Sequence, residues 1–367
     1  MQKRVRNAIA VVATAAVAAA GVAGVMRYRR GAVSAHAIDA IPAGALLVAT
    51  ADLAGLRASP VGAPFLREGR EIPGLGKVRD VCGFDPMDTL TEVALAIPAA
   101  GEAGEFGLVA SGPIDDDALV ACASKVIDAR GGRAVTTTVG SFRSVRDATL
   151  TLSGGEIAVR RGGPLLLGAG AYLRAMIDAA DGRSPGIGSS VAHGFLSHQV
   201  GDASIRATLV LSPELRHVVA EELASGGAAG APEGSILAGA VGVQLGPAVG
   251  VHLVVSCATA EACASLADKL GKVRAERAAD PATRVVGFGA VLDQITIAAE
   301  GTLVHARVEL PADLAGLLAD RLINLRGIRH PMRAHDEVPA PSPPPPPDEV
   351  VKPTPGSAAP RDAGAPR

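Results

Sequence analysis

Four cysteines, Cys82, Cys122, Cys257 and Cys263, are the side chains of this sequence best suited to covalent chemistry. None stands in a C-x-x-C arrangement and no histidine lies near them at ligand spacing, so the pattern points away from zinc. Cys257 closes a predicted strand and Cys263 falls in the first turns of the next helix. A loop that short brings the two sulfurs within bonding reach. Cys82, in the turn Cys82-Gly-Phe-Asp-Pro86, and Cys122, on an earlier helix, make the other pair. An even count behind an apolar N-terminal run favours disulfides Cys82–Cys122 and Cys257–Cys263 in an oxidising compartment. The alternative is four small buried hydrophobes in a reduced protein, because spacing alone does not decide connectivity.

Other groups offer less. His193 and His198 lie on a short predicted helix from Ser190, five apart and on different faces, so they do not bind one metal as an H-x-x-x-H pair does. His217, His252 and His305 stand singly in periodic elements and are expected at partly exposed positions. Asp85 precedes Pro86 and suits an Asx-type turn. Asp115, Asp116 and Asp117 open a helix, where they complement the positive end of its dipole. Arg143 and Arg146 lie on a predicted strand beside the one carrying Arg160 and Arg161. Together the four form a candidate positive binding patch, and an open sheet edge there would accept an extended peptide. No G-x-S-x-G is present, and Gly188-Ser-Ser lacks the second glycine of a nucleophile elbow. The pieces Gly74-Leu-Gly76, Gly168-Ala-Gly170 and Gly287-Phe-Gly289 lack the third glycine of a dinucleotide fingerprint, and no phosphate-binding loop motif appears. The expectation is a protein without catalytic residues, cofactor or metal.

The elements that carry these residues are written twice. Leu46-Leu-Val-Ala-Thr-Ala-Asp-Leu leads from strand to helix, and Ile205-Arg-Ala-Thr-Leu-Val-Leu-Ser-Pro-Glu-Leu does so again. Strand pairs follow, Val93 to Ile97 with Phe106 to Ser111, and Ala240 to Leu245 with Val249 to Ser256. Each pair runs into an Ala-rich helix, Asp116 to Arg130 and Thr259 to Arg277. Further strands are predicted at Gly140 to Arg146, Thr149 to Leu152, Glu156 to Arg160 and Pro164 to Leu167, before a helix around Tyr172 to Ala180. In the second copy Val285 to Val291, Gln294 to Ala299 and Thr302 to Glu309 read as strands, and Pro311 opens a Leu-rich helix. The fold class is therefore α+β: two pseudo-repeated halves of antiparallel sheet, residues 41–201 and 202–329, with helices packed on one face.

Both ends differ. Residues 8–26 are an uncharged apolar run of spanning length between Lys3, Arg4, Arg6 and Arg27, Arg29, Arg30. This reads as a transmembrane or signal-anchor helix between a cytoplasmic N-terminus, residues 1–7, and a linker, residues 27–40. Ala35-His-Ala37 resembles a cleavage site, so secretion after cleavage is the alternative. Residues 337–367 form a Pro-rich tail expected to be disordered. Among 367 residues, 48% are hydrophobic and 2% aromatic, with no Trp and a net charge of −2. No global field or set of stacking platforms draws such a chain to nucleic acid.

Leu46-Leu-Val-Ala-Thr-Ala-Asp-Leu, Gly83-Phe-Asp-Pro86 with Val93-Ala-Leu-Ala, Phe106-Gly-Leu-Val-Ala-Ser-Gly and Leu165-Leu-Leu-Gly168 give the region 41–201 a resemblance to a family. It is similar to uncharacterised bacterial envelope proteins that carry a Gly-(Leu/Phe)-Asp-Pro turn. The resemblance implies an anchored extracytoplasmic protein and no activity. The reading is a single-pass, inner-membrane, non-enzymatic binding or scaffolding module with its globular part in the periplasm, tethered through residues 8–26. Its partner would be an envelope protein, a peptide or an apolar ligand. The alternatives are a periplasmic carrier or chaperone for an apolar ligand or lipoprotein, and a periplasmic hydrolase without a recognisable motif.

Overall fold

The computed structural model describes residues 37–318, apart from 64–65, 67–70, 73–74, 100–104, 151–153, 226–234 and 286. The apolar run 8–26 and the tail 337–367 lie outside the described residues. Among those described, no helix is long and apolar enough to cross a membrane. The chain divides into two compact units, Met1–Leu317 and Leu318–Arg367, and the sheet lies in the first.

Its elements run β1 (Ala45–Asp52), α1 (Leu53–Ala58), β2 (Glu71–Ile72), β3 (Gly76–Lys77), α2 (Val78–Cys82), β4 (Glu92–Pro98), β5 (Gly107–Ser111) and α3 (Asp116–Ala129). Then come β6 (Ala134–Val139), β7 (Phe142–Asp147), β8 (Glu156–Val159), β9 (Leu165–Gly168), α4 (Gly170–Ala180) and α5 (Val191–Val200). The second stretch holds β10 (Ile205–Val210), α6 (Pro213–Ser225), β11 (Ile236–Leu245), β12 (Ala248–Cys257), α7 (Ala260–Ala279), α8 (Pro281–Val285), α9 (Phe288–Gln294), β13 (Thr296–Glu300) and β14 (Leu303–Pro311). Twelve strands form one sheet in the order β13-β14-β12-β11-β10-β1-β4-β5-β9-β8-β7-β6, and β2 pairs with β3 separately. Every neighbouring pair is antiparallel. At the centre β1 meets β10, with Leu47 opposite Leu209 and Ala51 opposite Ile205. A single sheet thus runs through both stretches.

Helices cover both faces of this sheet, which corrects the expectation of one face. On the first face, Val48, Ala96, Val109, Leu166, Ala158 and Phe142 pack against Tyr172, Leu173, Met176 and Ile177 of α4. Farther along, Leu196 and Val200 of α5 rest on Ala238, Ala240 and Val254. Cross-strand register puts these on one side, since Val48 faces Thr208, Thr208 faces Ala240 and Ala240 faces Val254. On the opposite side α1 packs Leu53 and Leu56 with Val93, Leu108, Ala110 and Leu165. There too α7 sets Cys263 and Leu266 against Cys257, Val255 and Val304. The reason is visible in β4, which reads Val93-Ala-Leu-Ala-Ile without a polar alternate. A strand apolar on both sides needs cover on both.

Two predicted strands are not strands over their described residues. Thr149 and Leu150 lie in a turn that Asp147 closes by accepting from the Thr149 N–H at 2.8 Å, and residues 151–152 lie outside the described chain. Residues 288–291 belong to α9, entered through Gly287 at φ 84. Short apolar runs carry no period that separates buried strand from buried helix. A left-handed glycine interrupts this one.

Candidate functional site

The proposed arginine patch does not exist as a patch. Arg143 is held by two acids of α3, at 2.6 Å from Asp117 and 3.1 Å from Asp116. The Asp117 hydrogen bond raises its pKa above the ordinary value. Arg160 is buried: its guanidinium donates to Asp181 at 2.7 Å, to Ser141 Oγ at 3.0 Å and to the Ala180 carbonyl at 3.1 Å, and lies 4.5 Å from the Phe142 ring centre. Burial lowers the Arg160 pKa, with Asp181 opposing. Burial pushes the Asp181 carboxyl up, but hydrogen bonds from Ser141 and Arg183 outweigh it and the net shift is downward. Arg146 sits half-exposed opposite Glu156, and Arg161 is exposed. Neighbouring strands placed the four close in register, but strand alternation aimed them at different partners.

The cysteines are joined as Cys82–Cys122, with Cα atoms 4.8 Å apart, and Cys257–Cys263, at 5.6 Å. The first fastens α2 to α3; the second clips the end of β12 to the start of α7. Asp85 accepts from the Met87 N–H at 3.0 Å, and Asp115 accepts from the N–H groups of Asp117 and Ala118 at 2.9 and 3.1 Å. Both are capping roles.

His193 is buried on α5. Its Nε2 lies 2.9 Å from the Ala45 carbonyl and its Nδ1 2.7 Å from Thr208 Oγ1. A carbonyl only accepts, so Nε2 carries the proton and Nδ1 accepts from the threonine hydroxyl. Burial lowers this imidazole's pKa, against the opposing carbonyl bond. His193 thereby ties α5 across the β1–β10 seam. His198 occupies another face of the same helix and His217 is exposed on α6. His305, expected at a partly exposed position, is instead 7% exposed. It sits on the first face of the sheet, in the row Ala240–Val254–His305 that α5 borders.

Beside His305 the first face opens into a cleft of about 470 Å³. Its floor is β11, β12 and β14, where Gly242 lies opposite His252 and Gly250 opposite both Gln244 and Glu309. The two glycines keep the floor low. Val200 at the end of α5 and Ala203 form one wall; Gln294 and Thr296 form another; Arg307 and Glu309 rise from β14. A Cβ at Gly242 would meet Val200 Cβ at 3.0 Å, whereas at Gly250 its nearest neighbour is Gln244 Cβ at 3.9 Å.

His252 Nε2 stands 3.0 Å from His305 Nδ1, and His305 Nε2 lies 3.9 Å from Glu300. The ring planes are 25° apart. Burial, then Arg307 and His305, lower the His252 pKa, so the imidazole is neutral near pH 7. The Thr296 hydroxyl donates to the Arg307 carbonyl at 3.3 Å. By contrast, the side chains of Gln244, Gln294, Arg307 and Glu309 have no hydrogen-bond or ion-pair partner among the described residues. Two amides, a guanidinium, a carboxylate and an imidazole converge on open space. Such an arrangement offers hydrogen-bond donors and acceptors into the cleft. Neither serine nor cysteine lines it, and among the described residues no group of three His, Cys, Asp or Glu side chains is placed to hold a metal ion.

The sequence did not reveal this site, because its members come from β11, β12, α9, β13 and β14. One signal was available: His305-x-Arg307-x-Glu309 puts three polar residues at period two on a strand whose neighbour β12 is mostly apolar.

No family model matches the sequence, and no curated protein matches it. Solved structures it resembles include crystal forms I and III of TP0453, at 12% identity and TM-scores of 0.43 and 0.44. The alignments cover 78% of this chain and 98% and 99% of those chains.

Proposed function

We propose that this chain is a non-enzymatic, membrane-anchored envelope protein that binds a small polar ligand in the cleft between α5, β13 and β14. The observation that carries the binding role is the convergence of Gln244, His252, Gln294, Arg307 and Glu309, four of them without a hydrogen-bond or ion-pair partner among the described residues. Exposed polar groups gathered around a preformed hollow, and not engaged with one another, offer a ligand a ready set of hydrogen-bond partners. The anchor rests on the apolar run 8–26 and its basic flanks, and the periplasmic side on the two disulfides, which persist in oxidising compartments. The resemblance to envelope proteins with a Gly-Phe-Asp-Pro turn points the same way. Internal duplication belongs to this reading as well. It is supported by β1-β4-β5-β9 on one side of the central seam and β10-β11-β12-β14 on the other, each built from a strand, a hairpin and a fourth strand that follows a helix and at least one further strand.

A second reading, a carrier for an apolar ligand, is favoured by Leu95, Ile97 and Leu253, which are 36–40% exposed on the opposite face of the sheet. Ligand-observed NMR of a mixed polar and apolar fragment set against the full chain in detergent separates the two. Polar fragments should bind and be lost in Gly250→Val, which fills the cleft floor. Hits confined to apolar fragments and indifferent to Gly250→Val would contradict the cleft reading and favour the carrier.

A further inference from the structure

We propose that the cleft binds short peptides by their two charged ends, an inference that rests on the cleft being the ligand site. Arg307 and Glu309 are two positions apart on β14 and on the same face, which separates their Cα atoms by about 7 Å. Standing side by side on a pleated strand, they form no ion pair with each other or with any other described residue. A positive and a negative side chain attached about 7 Å apart on one face suit a ligand with a carboxylate at one end and an ammonium at the other. Arg307 offers paired N–H donors for the carboxylate, as guanidinium does best. The Glu309 carboxylate accepts from the ammonium. Gln244 and Gln294 each provide an amide donor and acceptor, the complement of a peptide bond. His252, held neutral, adds one hydrogen bond without adding charge.

A hollow of about 470 Å³ holds a peptide of a few small residues. A free amino acid, whose charges sit one carbon apart, bridges the two sites poorly. Both charged side chains are exposed, so water screens each contact and the affinity is modest. Selectivity for charged ends is therefore the property to measure.

Isothermal titration of the full chain in detergent with trialanine, N-acetyl-trialanine and trialanine amide reads it directly. Trialanine should bind, and capping either end should weaken binding about ten-fold, near 1.4 kcal/mol. Glu309→Gln should remove the penalty for acetylation alone, and Arg307→Gln the penalty for amidation alone. Gly250→Val should remove binding of all three, with an unchanged circular dichroism spectrum. Equal binding of the three peptides, penalties untouched by Arg307→Gln and Glu309→Gln, or no saturable binding of trialanine would overturn the proposal. If polar fragments still require an open Gly250 floor while trialanine does not bind, only the peptide assignment falls; if they ignore it, the cleft reading falls too.

Discussion

At the scale of single residues, the charged groups divide into those the fold consumes and those it leaves to solvent. Arg160 and Asp181, with side chains 4% and 8% exposed, pair inside the structure, and the buried Glu156 carboxylate pairs with Arg174 at 2.8 Å. His193 is consumed likewise, and its lowered pKa has a consequence for stability. The unfolded imidazole takes a proton near pH 6.5, while the folded one resists it to lower pH. Below about pH 6.5 the unfolded state binds more protons, so stability is full above that value and is lost as pH falls towards the depressed folded pKa. His252 shifts in the same direction and adds to the loss. Thermal midpoints should be level from pH 8 to about 6.5 and decline towards pH 5, and His193→Gln should flatten that decline. A wild-type midpoint level down to pH 5 would contradict the buried neutral imidazole.

At the scale of elements, close approach of helix to sheet decides what can be substituted. Gly107 on β5 lies under α4 so tightly that a Cβ there would come within 2.7 Å of the Tyr172 ring. Gly107→Ala should force α4 outward and cost about 1–3 kcal/mol in denaturant unfolding, whereas Gly250→Ala, in open space, should be neutral. Equal effects at the two positions would mean that α4 does not pack as described. Neither difference can be read from sequence, where both are glycines in apolar strands. The strand pairs around Val93–Ser111 and Ala240–Ser256 were legible because short apolar runs separated by Gly-containing turns mark hairpins. The helix starting at Asp116 was legible because Asp115 caps it. What sequence hid was the side of the sheet each helix takes. Strands apolar at every position, such as Val93-Ala-Leu-Ala-Ile, leave that side unmarked. The arginine patch failed for a related cause, since a strand's alternation sent Arg143 to the acids of α3 and its neighbours elsewhere.

For the molecule as a whole, a twelve-stranded sheet joined at β1–β10 carries the cleft of mixed polar and apolar lining on one face, and the two disulfides lie far apart in sequence from that cleft's β14 residues. The reading of an anchored, periplasmic binding module depends on those bridges being present where the protein resides, because a reducing cytosol would keep the thiols free. The most direct test is to extract the full chain from its native membranes under immediate thiol blocking and map its cysteines by mass spectrometry. The account predicts no alkylated cysteine and two cross-linked peptides, joining Cys82 to Cys122 and Cys257 to Cys263. Four alkylated thiols would contradict it and move the search for a ligand to the cytoplasm.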